Sequence, residues 1–487
     1  MTYKVGKTSY APGCLTKLMP IETDAASSAE PVPGYCAAPW LEAVIRIDGA
    51  VLPCCRTNYA LGSTETHSLR EIWASGAAVR LRAEISAGRY ATPDCAHCHR
   101  DGTHTTLQKD LIATVGRAWL DYSAACRALG VQPNARLCGA MSAFRRHTLS
   151  ATENGGPAAE PRDLVGAIFA CRREPASVQA RSALRVLRKV ARASHDFIAQ
   201  RLRPRLVATM RQVNLVAVCN ARCVHCVGLY TGDIVVGQEV DGRRHKRMEA
   251  DRVASALACR RDVTSFFMNG SEFLLHRNWQ DLVEDFARES VSLSLSTNGM
   301  LLTPEVAAFL VSKRVLASAN ISFDGATRET IEGVRKGVRH DVLLAHTNGF
   351  LAALAASPQA LSVSISMVLL MQNVAEAAGL VQLAHDMRIA HGVAVHVTFQ
   401  PLTAAENVDY QRFFGEQRIE IDDPRHRPHL MAAESLGRTL GIATYYGYGG
   451  TLAAALGLVI PAVPALPAPT RKRRFPVWPL VTRLFAS

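Results

Sequence analysis

The stretch VNLVAVCNARCVHC, residues 213–226, decides how the rest of the chain is read. Its apolar opening, VNLVAV, has the make-up of a strand. Cys219, Cys223 and Cys226 follow at once in C-x3-C-x2-C spacing. A loop this short can turn three sulfurs toward one centre. Soft thiolates select iron–sulfur clusters, copper(I) or zinc. A structural zinc site normally takes a fourth protein ligand, and His225, set between two of the cysteines, need not face the same metal. Three ligands would leave one iron of a four-iron cluster open to a small molecule.

Beyond the triplet, strand patterns alternate with helical ones. Candidate strands begin near 213, 264, 291, 319, 363 and 393, and candidate helices lie near 246–260, 277–288, 303–312, 327–336, 341–356 and 374–388. Repeats of this size predict parallel strands joined by right-handed crossovers. The fold class expected is α/β, a closed or partly closed TIM-like barrel with active residues on the loops after the strands. Periodicity alone leaves a flat doubly wound sheet open.

A second cysteine group lies upstream. Cys36, Gly49 and Cys54 follow C-x12-G-x4-C spacing, and DCAHC adds Cys95 and Cys98. VIRIDGAVLPCC alternates on both sides of Asp48-Gly49, a hairpin signal. Ser68 is placed to cap the helix that follows, with Glu71 as its capping-box partner. Four thiols around a hairpin and a helix could enclose a four-iron cluster or a structural zinc, and spacing barely separates the two. Cys55 is an alternate ligand or a buried neighbour; His97, His99 and His104 read as loop or surface residues.

The domain plan expected is a flexible arm at 1–33, a hairpin-and-helix cluster module at 34–105, and a mostly helical basic linker at 106–208. The barrel core follows at 209–402, then a divergent extension at 403–487 with a Pro/Ala-rich, basic tail. The net charge is +13, and eleven Lys or Arg between Cys171 and Arg211 face only Glu174 and Asp196. Without a base-reading motif this excess does not predict nucleic-acid binding; it reads as a solvated helical face or a weak attraction for an anionic partner. Thirteen cysteines, mostly in tight groups, and no apolar secretory segment at the N-terminus predict a cytoplasmic protein. Cys14, Cys126, Cys138, Cys171 and Cys259 stand alone and read as small buried hydrophobes. The tail's apolar part is interrupted by prolines, which suits a disordered end or peripheral membrane contact through RKRR.

The triplet after the first strand of a six-repeat β/α unit resembles the radical SAM family, over roughly residues 209–402. That resemblance implies a partial (β/α)6 barrel, with a catalytic [4Fe-4S] cluster on Cys219, Cys223 and Cys226. It also implies S-adenosylmethionine at the open iron, and its reductive cleavage to a 5′-deoxyadenosyl radical that takes hydrogen from a substrate. MNGSEFLLH resembles the family's Gly-Gly-Glu-Pro motif, with Gly270 and Glu272 matching and Ser271 and Phe273 departing from it. LSLSTNGM makes Ser296 and Asn298 cofactor contacts by the same comparison. ISFDGATRETIEGVRKG adds Ser322, with Asp324 shaping the turn and Arg335 less securely placed; VLLMQNVAE adds Asn373. The upstream module resembles SPASM or twitch domains, which favours iron there, although such modules usually follow the core. On that comparison Cys36, Cys54, Cys95 and Cys98 hold an auxiliary [4Fe-4S] cluster.

The family comparison implies a radical oxidoreductase or modifying enzyme acting on a peptide, protein or small molecule, with a flavodoxin- or ferredoxin-like electron donor. Two alternatives stay open: a non-catalytic iron–sulfur electron-transfer or scaffold protein, and a zinc-stabilised binding protein.

Overall fold

The computed structural model describes residues 36–100, 201–236 and 263–458, apart from positions 37, 47, 55–56, 91, 205–207, 214–217, 231–233, 269–270, 290, 360, 403–407 and 448–449. The expected arm at 1–33, most of the 106–208 linker, the 246–260 helix and the tail beyond 458 lie outside these residues, as do Gly270, Cys55 and His104.

Fifteen strands are described. In chain order they are β1 (Glu42–Ile45), β2 (Ala50–Leu52), β3 (Gly62–Ser63), β4 (Ala208–Val213), β5 (Val218–Cys219), β6 (Arg222–Cys223), β7 (Val235–Val236) and β8 (Val263–Met268). They continue as β9 (Ser292–Thr297), β10 (Leu316–Ser322), β11 (Arg335–Lys336), β12 (Val363–Leu369), β13 (Val395–Pro401), β14 (Thr444–Tyr446) and β15 (Gly450–Thr451). Eleven of them form one sheet in the order β15-β14-β13-β12-β10-β9-β8-β4-β1-β2-β3. The six expected repeat strands, β4, β8, β9, β10, β12 and β13, sit side by side, parallel and in chain order. That is the partial (β/α)6 barrel.

The first strand differs from its expected place. Apolar residues marked 213–218, but the strand starts at Ala208 and includes Arg211 and Gln212. Its neighbours decide this: β4 pairs with β1 on one side and β8 on the other, and a central position overrides weak local propensity.

Two additions extend the parallel run. β14 joins beyond β13, and β1 of the upstream module joins parallel to β4. The module therefore shares the barrel's sheet. Its hairpin forms as the sequence predicts, with Gly49 at φ +80°, where a side chain would be strained. The Ser68–Glu71 capping box is present. Trp40 and Trp73 of the module belong to the same buried cluster as Leu293, Ile321 and Val397 of the barrel. One core runs through both.

Along β9, Leu293 and Leu295 are buried while Ser292, Ser294 and Ser296 alternate with them and stay partly accessible. The same polar face continues through Asn320 and Ser322, and on to His396, Thr398 and Gln400. Parallel strands usually carry apolar residues on both faces. Here one face is apolar under the helices and the other is a polar, uncharged wall.

Candidate active site

Cys219 closes β5 and Cys223 closes β6, so short strands fix both ends of the first loop. β5 pairs with β7, and β6 pairs with β11, which sets Cys223 opposite Arg335. Cys226 opens the short helix Val227–Tyr230. All three thiols are free and partly buried. Burial pushes Cys219 up to about 11 and Cys223 up to about 12, and raises Cys226 as well. Nearby charge modifies this: each thiol lies within electrostatic reach of Arg335, and Cys223 feels both other thiols. Buried thiols beside a fixed cation are chemically suited to deprotonate onto a metal centre.

Glu272 lies next to this loop. Its N–H donates to the Val218 carbonyl at 3.3 Å, and its carboxylate is 1% exposed. The Thr297 hydroxyl donates to both carboxylate oxygens at 3.0 Å, and the Asn298 and Leu274 N–H groups donate at 2.9 and 3.4 Å. Burial still raises its pKa against these donors. Asn298 Nδ2 donates to Asn220 Oδ1 at 2.6 Å and lies 3.6 Å from Cys219 Sγ. The structure thus gathers Cys219, Cys223, Cys226, Glu272 and Asn298 at one end of the parallel strands.

Ser296 and Ser322 stand on the adjoining polar wall. Ser296 Oγ accepts from Asn320 Nδ2 at 3.2 Å, and Ser322 pairs in register with Ser366. Asn373, expected as a cofactor contact, is instead fully buried and committed to the backbone. Its Nδ2 donates to the Asp324 and Val368 carbonyls at 3.0 and 2.8 Å, and its Oδ1 accepts from Leu370 N–H at 2.8 Å. Both amide hydrogens go to backbone carbonyls, which leaves the side chain no donor for a ligand.

Three further participants carry only weak signals in the sequence. Asp324, a turn residue at φ +59°, is buried, and its carboxylate accepts from Arg335 Nη1 at 2.5 Å and Val368 N–H at 2.6 Å. His225 Nε2 stands 3.5 Å from the same carboxylate, and burial depresses its pKa while Asp324 pulls the other way. Thr297, the main side-chain partner of Glu272, carried no signal beyond its place in a strand.

In the upstream module, Cys54 follows β2 and Cys95 and Cys98 lie on the helix Pro93–Arg100. Thr92 caps that helix, its Oγ1 accepting from Cys95 N–H at 3.1 Å. Burial pushes Cys36 up to about 12, with Cys98 and Cys95 adding to the rise, so these three share one neighbourhood. All four module thiols are half-buried. Among the described residues no His, Cys, Asp and Glu group is drawn tightly enough to chelate a single ion. The fit of both thiol groups to a larger cluster therefore rests on donor chemistry and on their mutual electrostatics.

Residues 213–384 match the radical SAM superfamily, and residues 36–99 match SPASM, an iron–sulfur cluster-binding domain. The chain thus carries a radical SAM domain with a SPASM module ahead of it, domains that imply [4Fe-4S] clusters and S-adenosylmethionine. It is similar to the AdoMet-dependent heme synthase of Methanosarcina barkeri, 30% identical over 139 residues, 28% of this chain and 36% of that protein. It is also similar to the mycofactocin maturase MftC of Mycobacterium tuberculosis, 29% identical over 160 residues, 32% of this chain and 37% of that protein. The matches thus span little more than a third of either relative. Among solved structures it aligns with Streptococcus suis SuiB bound to precursor peptide SuiA, at 13% identity and TM-score 0.39, over 65% of this chain and 64% of that one.

Proposed function

We propose that Cys219, Cys223 and Cys226 hold the catalytic [4Fe-4S] cluster, that Cys36, Cys54, Cys95 and Cys98 hold the auxiliary one, and that the enzyme modifies a peptide or protein. When bound, the cluster and S-adenosylmethionine would supply a 5′-deoxyadenosyl radical able to take hydrogen from an unactivated position. The protein's own part is binding, orientation and exclusion of water. Glu272 offers a buried carboxylate for an ammonium group, held rigid by Thr297 and the Asn298 N–H. Asn298 fixes the floor of the loop by gripping Asn220. The observation that carries this reading is the convergence of three half-buried thiols with Glu272 and Asn298 at one end of the parallel strands.

A peptide substrate is supported by the similarity to a protein named a maturase. The wall formed by Ser294, Ser296, Asn320, Thr398 and Gln400 also supports it, since it offers hydrogen bonds without fixed charge to a polar chain. A flavodoxin- or ferredoxin-like donor would reduce the cluster. A cytoplasmic location suits free thiols that need a reducing compartment. No helix among the described residues is long and apolar enough to cross a membrane.

Anaerobic reconstitution followed by S-adenosylmethionine and a chemical reductant tests the proposal. The expected result is 5′-deoxyadenosine, with about seven to eight irons per chain, as two four-iron clusters require. Fully loaded protein that binds S-adenosylmethionine yet never cleaves it, with or without candidate peptides, would refute the catalytic reading.

A further inference from the structure

Backbone pairing brings Arg335 to the cysteine loop. β11 runs antiparallel to β6, with Arg335 opposite Cys223 and Lys336 opposite Arg222, and the Val224 N–H donates to the Val334 carbonyl at 2.9 Å. A Cβ at Gly337, which sits at φ +89°, would come within 3.2 Å of the Asn220 carbonyl. Loop and strand are therefore pressed together as closely as glycine allows. Arg335 is 5% exposed. Its Nη1 donates to Asp324 Oδ2, while its Nε is buried without a hydrogen-bond partner. A buried N–H of a charged group is costly to leave unanswered, and the loop beside it is where an acceptor is due.

We infer that Arg335 is a positioning residue for the catalytic cluster, its free Nε–H and fixed charge directed at the Cys219, Cys223 and Cys226 thiolates so as to stabilise the reduced state, with Asp324 as the counterweight that limits this. The inference rests on the reading of that loop as the cluster site. One-electron reduction, by a low-potential external donor, adds one negative charge to a buried centre. A cation beside it in a low-dielectric setting favours that added charge, and a carboxylate opposes it. The balance here is uneven. Arg335 keeps an unpartnered buried Nε–H beside the loop, whereas both Asp324 oxygens are already engaged, Oδ1 by the Val368 N–H and Oδ2 by Arg335 Nη1. Asp324 is also tied down by the Val368 N–H, so it holds the guanidinium at a fixed place instead of following it.

The test is a potentiometric titration of the full, anaerobically reconstituted chain, followed by electron paramagnetic resonance, using the signal that S-adenosylmethionine perturbs to mark the catalytic cluster. Arg335→Gln should keep iron and sulfide content but move the midpoint to more negative potential. About a tenfold smaller reduced fraction at fixed potential is expected, which is ~59 mV for a one-electron couple. Arg335→Lys should restore most of it. Asp324→Asn, which keeps an oxygen for the Val368 N–H, should move the midpoint the opposite way. A merely structural role would loosen the loop in both variants and shift them together; that result, or no shift with clusters loaded, overturns the inference. Should Arg335→Gln fail to hold the cluster, Asp324→Asn decides alone: a positive shift supports the inference and any other result overturns it. A wild-type chain with no cluster signal that responds to S-adenosylmethionine would instead remove the functional reading beneath it.

Discussion

The two cysteine groups differ in the charge that surrounds them. Around Cys219, Cys223 and Cys226 a buried cation, Arg335, offsets part of the effect of burial. Around Cys36 the charged neighbours that act on it, Cys98, Cys95 and Glu42, all raise the thiol further, and Cys95 has Asp94 beside it. The module's own buried arginine, Arg82, is turned mainly to backbone carbonyls, with only its Nη2 left without a hydrogen-bond partner. It donates to the Pro39, Trp73 and Leu202 carbonyls and stacks 4.7 Å over the Trp73 ring, and burial lowers its pKa to about 9. On the proposed assignment of the two clusters, the charge around the first group favours an added electron. The other is built into a hydrophobic brace, and its surroundings disfavour more negative charge.

The sharpest way to break that contrast is to remove one thiol from each group. Cys223→Ala should reduce 5′-deoxyadenosine formation to background, a loss of at least about 10³-fold, because no other group completes the site. Cys95→Ala should leave cleavage within about tenfold of wild type while lowering iron content by one cluster. Equal losses in the two variants, measured by chromatography of reaction mixtures, would mean the centres do not divide the work.

A second prediction concerns the brace. Ile45 in β1 is fully buried and pairs in register with Val213 of β4. Ile45→Ala should cost about 2–5 kcal/mol from lost contacts and the cavity left behind. Since β1 lies in the barrel's sheet and Trp40 in its core, calorimetry should show the module and barrel melting in one shifted transition. Two transitions, with only one displaced, would show that the module is an independent appendage.

Much of this was legible in the sequence, for reasons that can be named. Alternation in SLSLST fixes a strand with one apolar face, and Pro304 after Thr303 starts a helix where the structure has one. Tight local spacings such as C-x3-C-x2-C and Asp48-Gly49 survive because turns are built from neighbours. What stayed hidden depends on partners far along the chain. β4 begins at Ala208 because β1, more than 160 residues earlier, lies beside it. Asn373 was read as a ligand contact because its residue type allows either role; only the carbonyls of Asp324 and Val368 show which it plays. Arg335 was hard to place because an arginine within a helical pattern usually faces water, and its burial comes from β11 turning back onto β6.

The smallest effect is the most selective. The Glu272 carboxylate has no module residue among its hydrogen-bond partners, which are Thr297, Asn298 and Leu274. Glu272→Gln keeps the shape of the side chain and an oxygen for the Thr297 hydroxyl or the Asn298 N–H, but it removes the negative charge that would face an ammonium. Loss of one charge-assisted contact should weaken S-adenosylmethionine binding about tenfold, roughly 1.4 kcal/mol, with iron content and the auxiliary signal unchanged. Isothermal titration on reconstituted protein reads this directly. Unchanged affinity would assign Glu272 to bracing β9 through Thr297, and would leave Asn298 and the polar wall as the groups that must hold the cofactor.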